Sequence, residues 1–139
     1  MKQTTNEKMT TAELVEKFSE LALAQHEAVE TFQTARYNRL YDRIKLVQAQ
    51  LRTREGDQRR ALMPLLEAPN IQVRFMTAYA LLTVAPERVR KALEVIRESG
   101  RLPQSADASY TLEHFDESIE QALHYEARES LRRSLDSEE

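Results

Sequence analysis

The stretch LLEAPNIQVRFMTAYALLTVAPE, residues 65–87, decides how this chain is read. The pair Pro69-Asn70 punctuates it, Pro86 closes it, and the segment between them is apolar on almost every side. On a helix, Val73, Met76, Ala80 and Val84 form one stripe, while Phe75, Ala78, Tyr79 and Leu82 form another almost opposite. A helix that is apolar all round is buried on both sides. This segment is therefore expected in the middle of a stack, with Thr77, Ala78 and Ala80 small enough to let neighbours approach. Asn70 is the expected N-cap, and Pro86 stands at the first position of the next helix.

Working outward, the rest of the chain also reads as helix. Thr10 and Glu13 have capping-box spacing, and Leu14, Phe18, Leu21, Ala22, Ala28, Val29 and Phe32 make one stripe, which predicts a helix over 11–32. Tyr37, Leu40, Tyr41, Ile44, Val47 and Leu51 make a second stripe, ended by Gly56. Asp57 is the expected cap of a third helix, bent at Pro64, where a proline removes a backbone donor. Gly100 stops the helix that Pro86 starts, residues 103–105 start another, and a last helix, capped by Asp116, is expected to reach about Leu135.

Composition agrees with this pattern. The chain has 139 residues, two glycines, four prolines and no cysteine. Its length suits one domain, and its scarcity of turn residues leaves little room for hairpins. Without cysteine there is neither a disulfide nor a thiolate metal site, which fits a reducing cytoplasm. The polar opening MKQTTNEKMT lacks the apolar core of a signal peptide, and no apolar run is long enough to span a bilayer. The expectation is a cytoplasmic protein that makes no use of a membrane.

Sliding the sequence by 31 positions lays Ala61, Leu62, Glu67, Tyr79 and Leu81 over Ala92, Leu93, Glu98, Tyr110 and Leu112. A period of this size with two helices per unit is the mark of an α-solenoid. The fold class expected is all-α, a short right-handed α-solenoid of antiparallel helix pairs with six to seven helices. Its parts are a flexible N-terminal tail at 1–10, a helical domain at 11–116, and an acidic C-terminal helix and tail at 117–139.

The segment LLEAPNIQVRFMTAYALL resembles the second half of a HEAT repeat, and RALMPLL before it resembles the proline-bent first helix of one. Together with YNRLYDRIKLV and VAPERVRKALEVI, these segments resemble a small bacterial family of HEAT-like domains of uncharacterised function, over about Leu14 to Phe115. The resemblance implies an ARM-type fold and carries no chemistry. HEAT repeats usually hold an acidic residue in the turn before the Val-Arg pair, whereas Asn70 stands in that region here.

Charge is unevenly spread. Lys and Arg outnumber Asp and Glu eight to three over residues 36–60, and are outnumbered three to ten over 104–139. The two bands either complement each other within the fold or mark a docking face. For nucleic acid the net charge of -3 is unfavourable, since phosphate binding normally shows as a basic domain.

No catalytic set emerges. QHEAVE opens like a zinc-protease helix, but Glu30 stands where the second histidine is needed. Residues three before His26, His114 and His124 are Leu23, Thr111 and Gln121, so the di-iron carboxylate motif is absent. His114, Glu117, Glu120 and His124 share part of a face only if the last two helices run on as one, and they are read as solvated side chains. Tyr37, Tyr41, Tyr79 and Tyr110 read as core residues with a wet hydroxyl. Arg74 reads first as a structural bond to a neighbouring turn.

The function expected is a non-catalytic protein–protein interaction module without cofactor or metal, a monomer or weak homodimer, of which an inhibitor or immunity protein is one version. The alternative is a nucleic-acid-binding helical-repeat protein that uses the basic band at 36–60. A third class, a small enzyme using carboxylates, needs a deep pocket. Because the second helices of stacked pairs line the inner face of a solenoid, the binding residues expected are Arg36, Arg39, Arg43, Arg74, Tyr110 and His114.

Overall fold

Asn70 caps its helix as its sequence position implies. The side-chain oxygen accepts from the backbone N–H of Gln72 at 2.8 Å and of Val73 at 3.1 Å, and the helix runs Ile71–Ala80. The computed structural model describes residues 6–137. In chain order it contains α1 (Thr11–Glu30), α2 (Thr34–Thr53), a 3-10 helix (Gln58–Glu67), α3 (Ile71–Ala80), α4 (Pro86–Ser99), α5 (Gln104–Glu113) and α6 (Phe115–Ser137). The chain is all-α, with no strand among the described residues.

The two-sided burial of α3 is realised. Ile71, Val73, Phe75, Met76, Ala78 and Ala80 are all buried, as are Leu81 and Leu82 just beyond the helix. The reason is position, since α3 packs on α1, the 3-10 helix, α4 and α5. Thr77 hides its hydroxyl by donating to the Val73 carbonyl at 2.7 Å, so a polar residue costs little in this interior. The short links at 31–33 and 100–103 turn α1 onto α2 and α4 onto α5, and both pairs pack together extensively.

A ladder of buried amides ties three of these helices. Gln72 of α3 donates to Gln25 of α1 at 2.8 Å, and Gln104 of α5 donates to Gln72 at 2.7 Å. All three side chains are at most 2% exposed, so each bond is made without competition from water. The ladder puts α1, α3 and α5 side by side in one layer.

Several expectations are revised by the structure. The helix after Asp57 is a 3-10 helix throughout rather than a bent α-helix, because Pro64 lacks the donor an α-turn needs and its ring crowds the carbonyl one turn back. Phe32 does not extend the α1 stripe. The helix stops at Glu30, and Phe32 adopts a positive φ of 55° with its ring 92% exposed. Leu14, Phe18, Leu21 and Ala22 carry the buried face instead. The last helix begins at Phe115 rather than at an Asp116 cap, and His114 is the C-cap of α5. Of the segment expected as a tail, residues 1–5 lie outside the described residues. Asn6 is buried, accepting from Lys17 at 2.5 Å through its side chain and from Arg54 at 3.2 Å through its carbonyl.

Candidate functional site: a groove lined by tyrosines

The core stripe of α2, Leu40, Ile44, Val47 and Leu51, leaves two flanks. One carries Tyr37, Tyr41, Lys45 and Gln48, and the other carries Arg36, Arg39 and Arg43. They face different surroundings.

The tyrosine flank opens onto a groove. Its floor is Phe75, Met76 and Tyr79 of α3 with Leu82 just beyond that helix, and its far wall is Asp107, Tyr110 and Thr111 of α5 with Ser118, Gln121 and Ala122 of α6, with a volume of about 520 Å³. Sharing Tyr41, Lys45, Gln48, Tyr79 and Ala122 with it is a second lobe of about 610 Å³, bounded by Arg52 of α2 and by Tyr125, Glu126 and Glu129 of α6. Four of the five tyrosines in the chain therefore line one continuous groove. Tyr37 lies one turn before Tyr41.

Each of these rings is held. The Tyr79 hydroxyl hydrogen-bonds the Thr111 hydroxyl at 2.5 Å and donates to the Asp107 carbonyl at 3.3 Å, and its ring packs on Phe75 at 4.8 Å. Burial pushes the Tyr79 phenol above its usual range, against the hydrogen bond with Thr111. Burial likewise raises Tyr41, with Tyr125 adding to the effect. The Tyr110 ring is 66% exposed and stacks on His114 at 4.4 Å. Between the lobes, the Lys45 ammonium sits 6.0 Å from the Tyr41 ring and 5.5 Å from the Tyr125 ring. Burial lowers its pKa, against the pull of Glu126, and it makes no ion pair among the described residues. The groove thus offers neutral phenols, an apolar floor and one half-desolvated cation. It holds no assembled nucleophile and base.

The six residues expected to bind a partner are not brought together on one face. Arg36, Arg39 and Arg43 line a separate cleft with Glu13, Glu16 and Glu20 of α1, and Arg36 pairs with Glu27 at 3.3 Å. Arg74 faces the seam between the 3-10 helix and α4, and forms no bond to a neighbouring turn. Tyr110 lies in the groove, with His114 stacked on it and its Nδ1–H donating to the Tyr110 carbonyl at 3.0 Å. The basic band meets acidic neighbours within the fold, both through these α1 carboxylates and through Arg59, which bonds Glu126 of α6. Tyr125 and Lys45 were missed as site residues. The spacing of Tyr37, Tyr41, Lys45 and Gln48 along one flank of α2 was the available signal.

Comparison with known proteins places this architecture. The chain belongs to the DUF2019 family, a domain of unknown function whose profile matches residues 12–116. It is similar to the crystal structure of the protein RPA1889 from Rhodopseudomonas palustris CGA009, with 40% sequence identity and a TM-score of 0.77 over 80% of this chain and 92% of that one. No curated protein matches. The groove floor and the α5 wall fall inside the family match, while most of α6 lies beyond it. No helix among the described residues is long and apolar enough to cross a membrane.

Proposed function

We propose that this chain is a non-catalytic protein-interaction module and that the tyrosine groove receives a segment of its partner. The observation that carries this reading is the convergence of Tyr41, Tyr79, Tyr110 and Tyr125, from four helices, on one open groove. Tyrosine combines a large rigid ring with a polar tip, so it gains contact area at little entropic cost and is enriched where binding energy concentrates. The apolar lobe over Phe75 and Leu82 suits an apolar or aromatic anchor, and Lys45 suits a carboxylate beside it. The reading of the chain as a short HEAT-like solenoid is supported by the glutamine ladder across α1, α3 and α5, which links Gln25, Gln72 and Gln104 as successive helices of one layer. A cytoplasmic setting accords with the absence of cysteine.

The nucleic-acid reading is weaker here because Arg36, Arg39 and Arg43 share their cleft with three carboxylates. Affinity capture from a lysate separates the two, using the wild-type chain, the Tyr41→Ser/Tyr110→Ser variant, and the variant with Arg36, Arg39 and Arg43 all changed to Glu. One protein retained by the arginine variant and lost by the tyrosine variant supports the groove. Nucleic acid lost from the arginine variant, and released from wild type by salt, replaces this reading with the other.

A further inference from the structure

On the face of Arg74, the 3-10 helix ends against α4 and leaves a cleft of about 490 Å³. Three cations line it, Arg74 from α3 and Arg88 and Lys91 from α4, against the single carboxylate of Glu67. Arg74 is half-buried, and among the described residues none of the three side chains makes a hydrogen bond or ion pair. A guanidinium without a protein partner keeps its five donors available to a ligand. Among the described residues most other arginines and lysines with a comparable loss of exposure are engaged, Arg36, Arg52, Arg54 and Arg59 by hydrogen bonds and Lys45 by two rings, whereas Arg43 shares the free state of Arg74 but lies in a cleft with three carboxylates. The walls of the cleft are apolar, with Pro69 on one side and Val95, 56% exposed, on the other.

We propose that this cleft is a binding site for an organic phosphate monoester. The lining carries two net positive charges, which matches the charge of about -1.5 to -2 that a phosphate monoester bears near neutral pH. Arg74 and Arg88 supply the planar fork that grips phosphate oxygens in a bidentate way, and Lys91 adds a point charge. Pro69 and Val95 face the organic part of the ligand. The volume lies within the range of about 300 to 1,000 Å³ typical of small-molecule sites. The site is separate from the tyrosine groove and stands whether or not that groove binds a protein.

The test is a titration of the full-length chain, followed by amide shifts in nuclear magnetic resonance, with phenyl phosphate and with inorganic phosphate at constant ionic strength. Expected are saturable shifts confined to residues 66–74 and 88–95, and affinity for phenyl phosphate about tenfold above that for inorganic phosphate, from burial of the ring. Arg74→Gln should weaken phenyl phosphate binding about tenfold. The exposed double variant Arg88→Gln/Lys91→Gln, which removes no buried contact, should do so as well. Equal affinity for the two phosphates overturns the organic ligand. Shifts scattered over all the basic residues, or unchanged affinity in the double variant, overturn the site.

Discussion

Arg59, whose side chain is 4% exposed, donates to both carboxylate oxygens of Glu126 at 3.4 and 3.3 Å, tying the 3-10 helix to α6. The same guanidinium bonds Asp57 at 2.6 Å, Thr83 at 3.2 Å and the Ala80 carbonyl at 3.5 Å, so α3 is drawn in too. Because α6 otherwise packs sparsely on the body, this contact fixes the groove wall that carries Tyr125. Arg59→Ala should destabilise the chain by about 3 kcal/mol, since it removes the cation shared by the Asp57 and Glu126 carboxylates and leaves the Ala80 carbonyl without that donor. Urea melts check the loss, and a variant as stable as wild type would show that Arg59 does not hold the wall.

Leu81 has no exposure, and it follows the all-apolar helix where nothing can collapse into a gap. Leu81→Ala should cost about 2 to 5 kcal/mol, whereas Arg43→Ala on the half-exposed flank of α2 should stay within about 0.5 kcal/mol. Equal losses at the two sites in chemical denaturation would contradict the assignment of the core.

Gln72 is both donor and acceptor in the amide ladder. Gln72→Leu fills a similar volume but leaves Gln25 and Gln104 each without a buried partner, for a loss of about 1 to 3 kcal/mol per orphaned group. The double variant Gln72→Leu/Gln104→Leu should lose less than the sum of the single variants, because it removes one of the orphans. Strict additivity in a double-mutant cycle would mean that the two amides do not interact.

How much of this was legible in the sequence follows from range. Asn70 as a cap, the capping box of Thr10 with Glu13, and the two-sided burial of α3 depend on neighbours three or four positions apart, and periodicity reports those directly. The 3-10 form of residues 58–67 was not legible, because Pro64 announces a disturbance without saying whether the helix bends or tightens. Nor was the split of α2 into a tyrosine flank and an arginine flank read as two surfaces, since which flank faces α1 is decided by packing across the fold. Tyr125 joined the groove through long-range contacts of its helix, among them the bonds of Arg59 and Thr83 to Glu126, 67 and 43 residues apart in sequence. Pairings at that separation leave no local trace.

The Arg59 guanidinium also gives a pH dependence, through Asp57. Arg59 holds the Asp57 carboxyl below its ordinary value of 3.8, chiefly by hydrogen bonding and against burial. A carboxyl depressed in the folded state stabilises fully above its unfolded value and loses that contribution as pH falls through the folded one. The melting temperature should therefore drop below about pH 4 more steeply in wild type than in Asp57→Asn, which retains a residue tolerant of the positive φ at this position. Parallel acid profiles for the two proteins would remove Asp57 from the account.

The central claim is that the tyrosine groove carries the binding energy for a protein partner. Its most direct test is the dissociation constant of a captured partner measured against wild type, Tyr41→Ala/Tyr110→Ala, and the variant with Arg36, Arg39 and Arg43 changed to Glu. Both tyrosines lie at the margin of the core, so the double variant should fold, which circular dichroism checks. The account predicts a loss of about 100-fold or more for the tyrosine variant, in keeping with truncation of two anchors worth about 2 kcal/mol each, and a change of less than about threefold for the arginine variant. The reverse result, affinity retained without the tyrosines and abolished without the arginines, would place the interface in the cleft between α1 and α2 and contradict the claim.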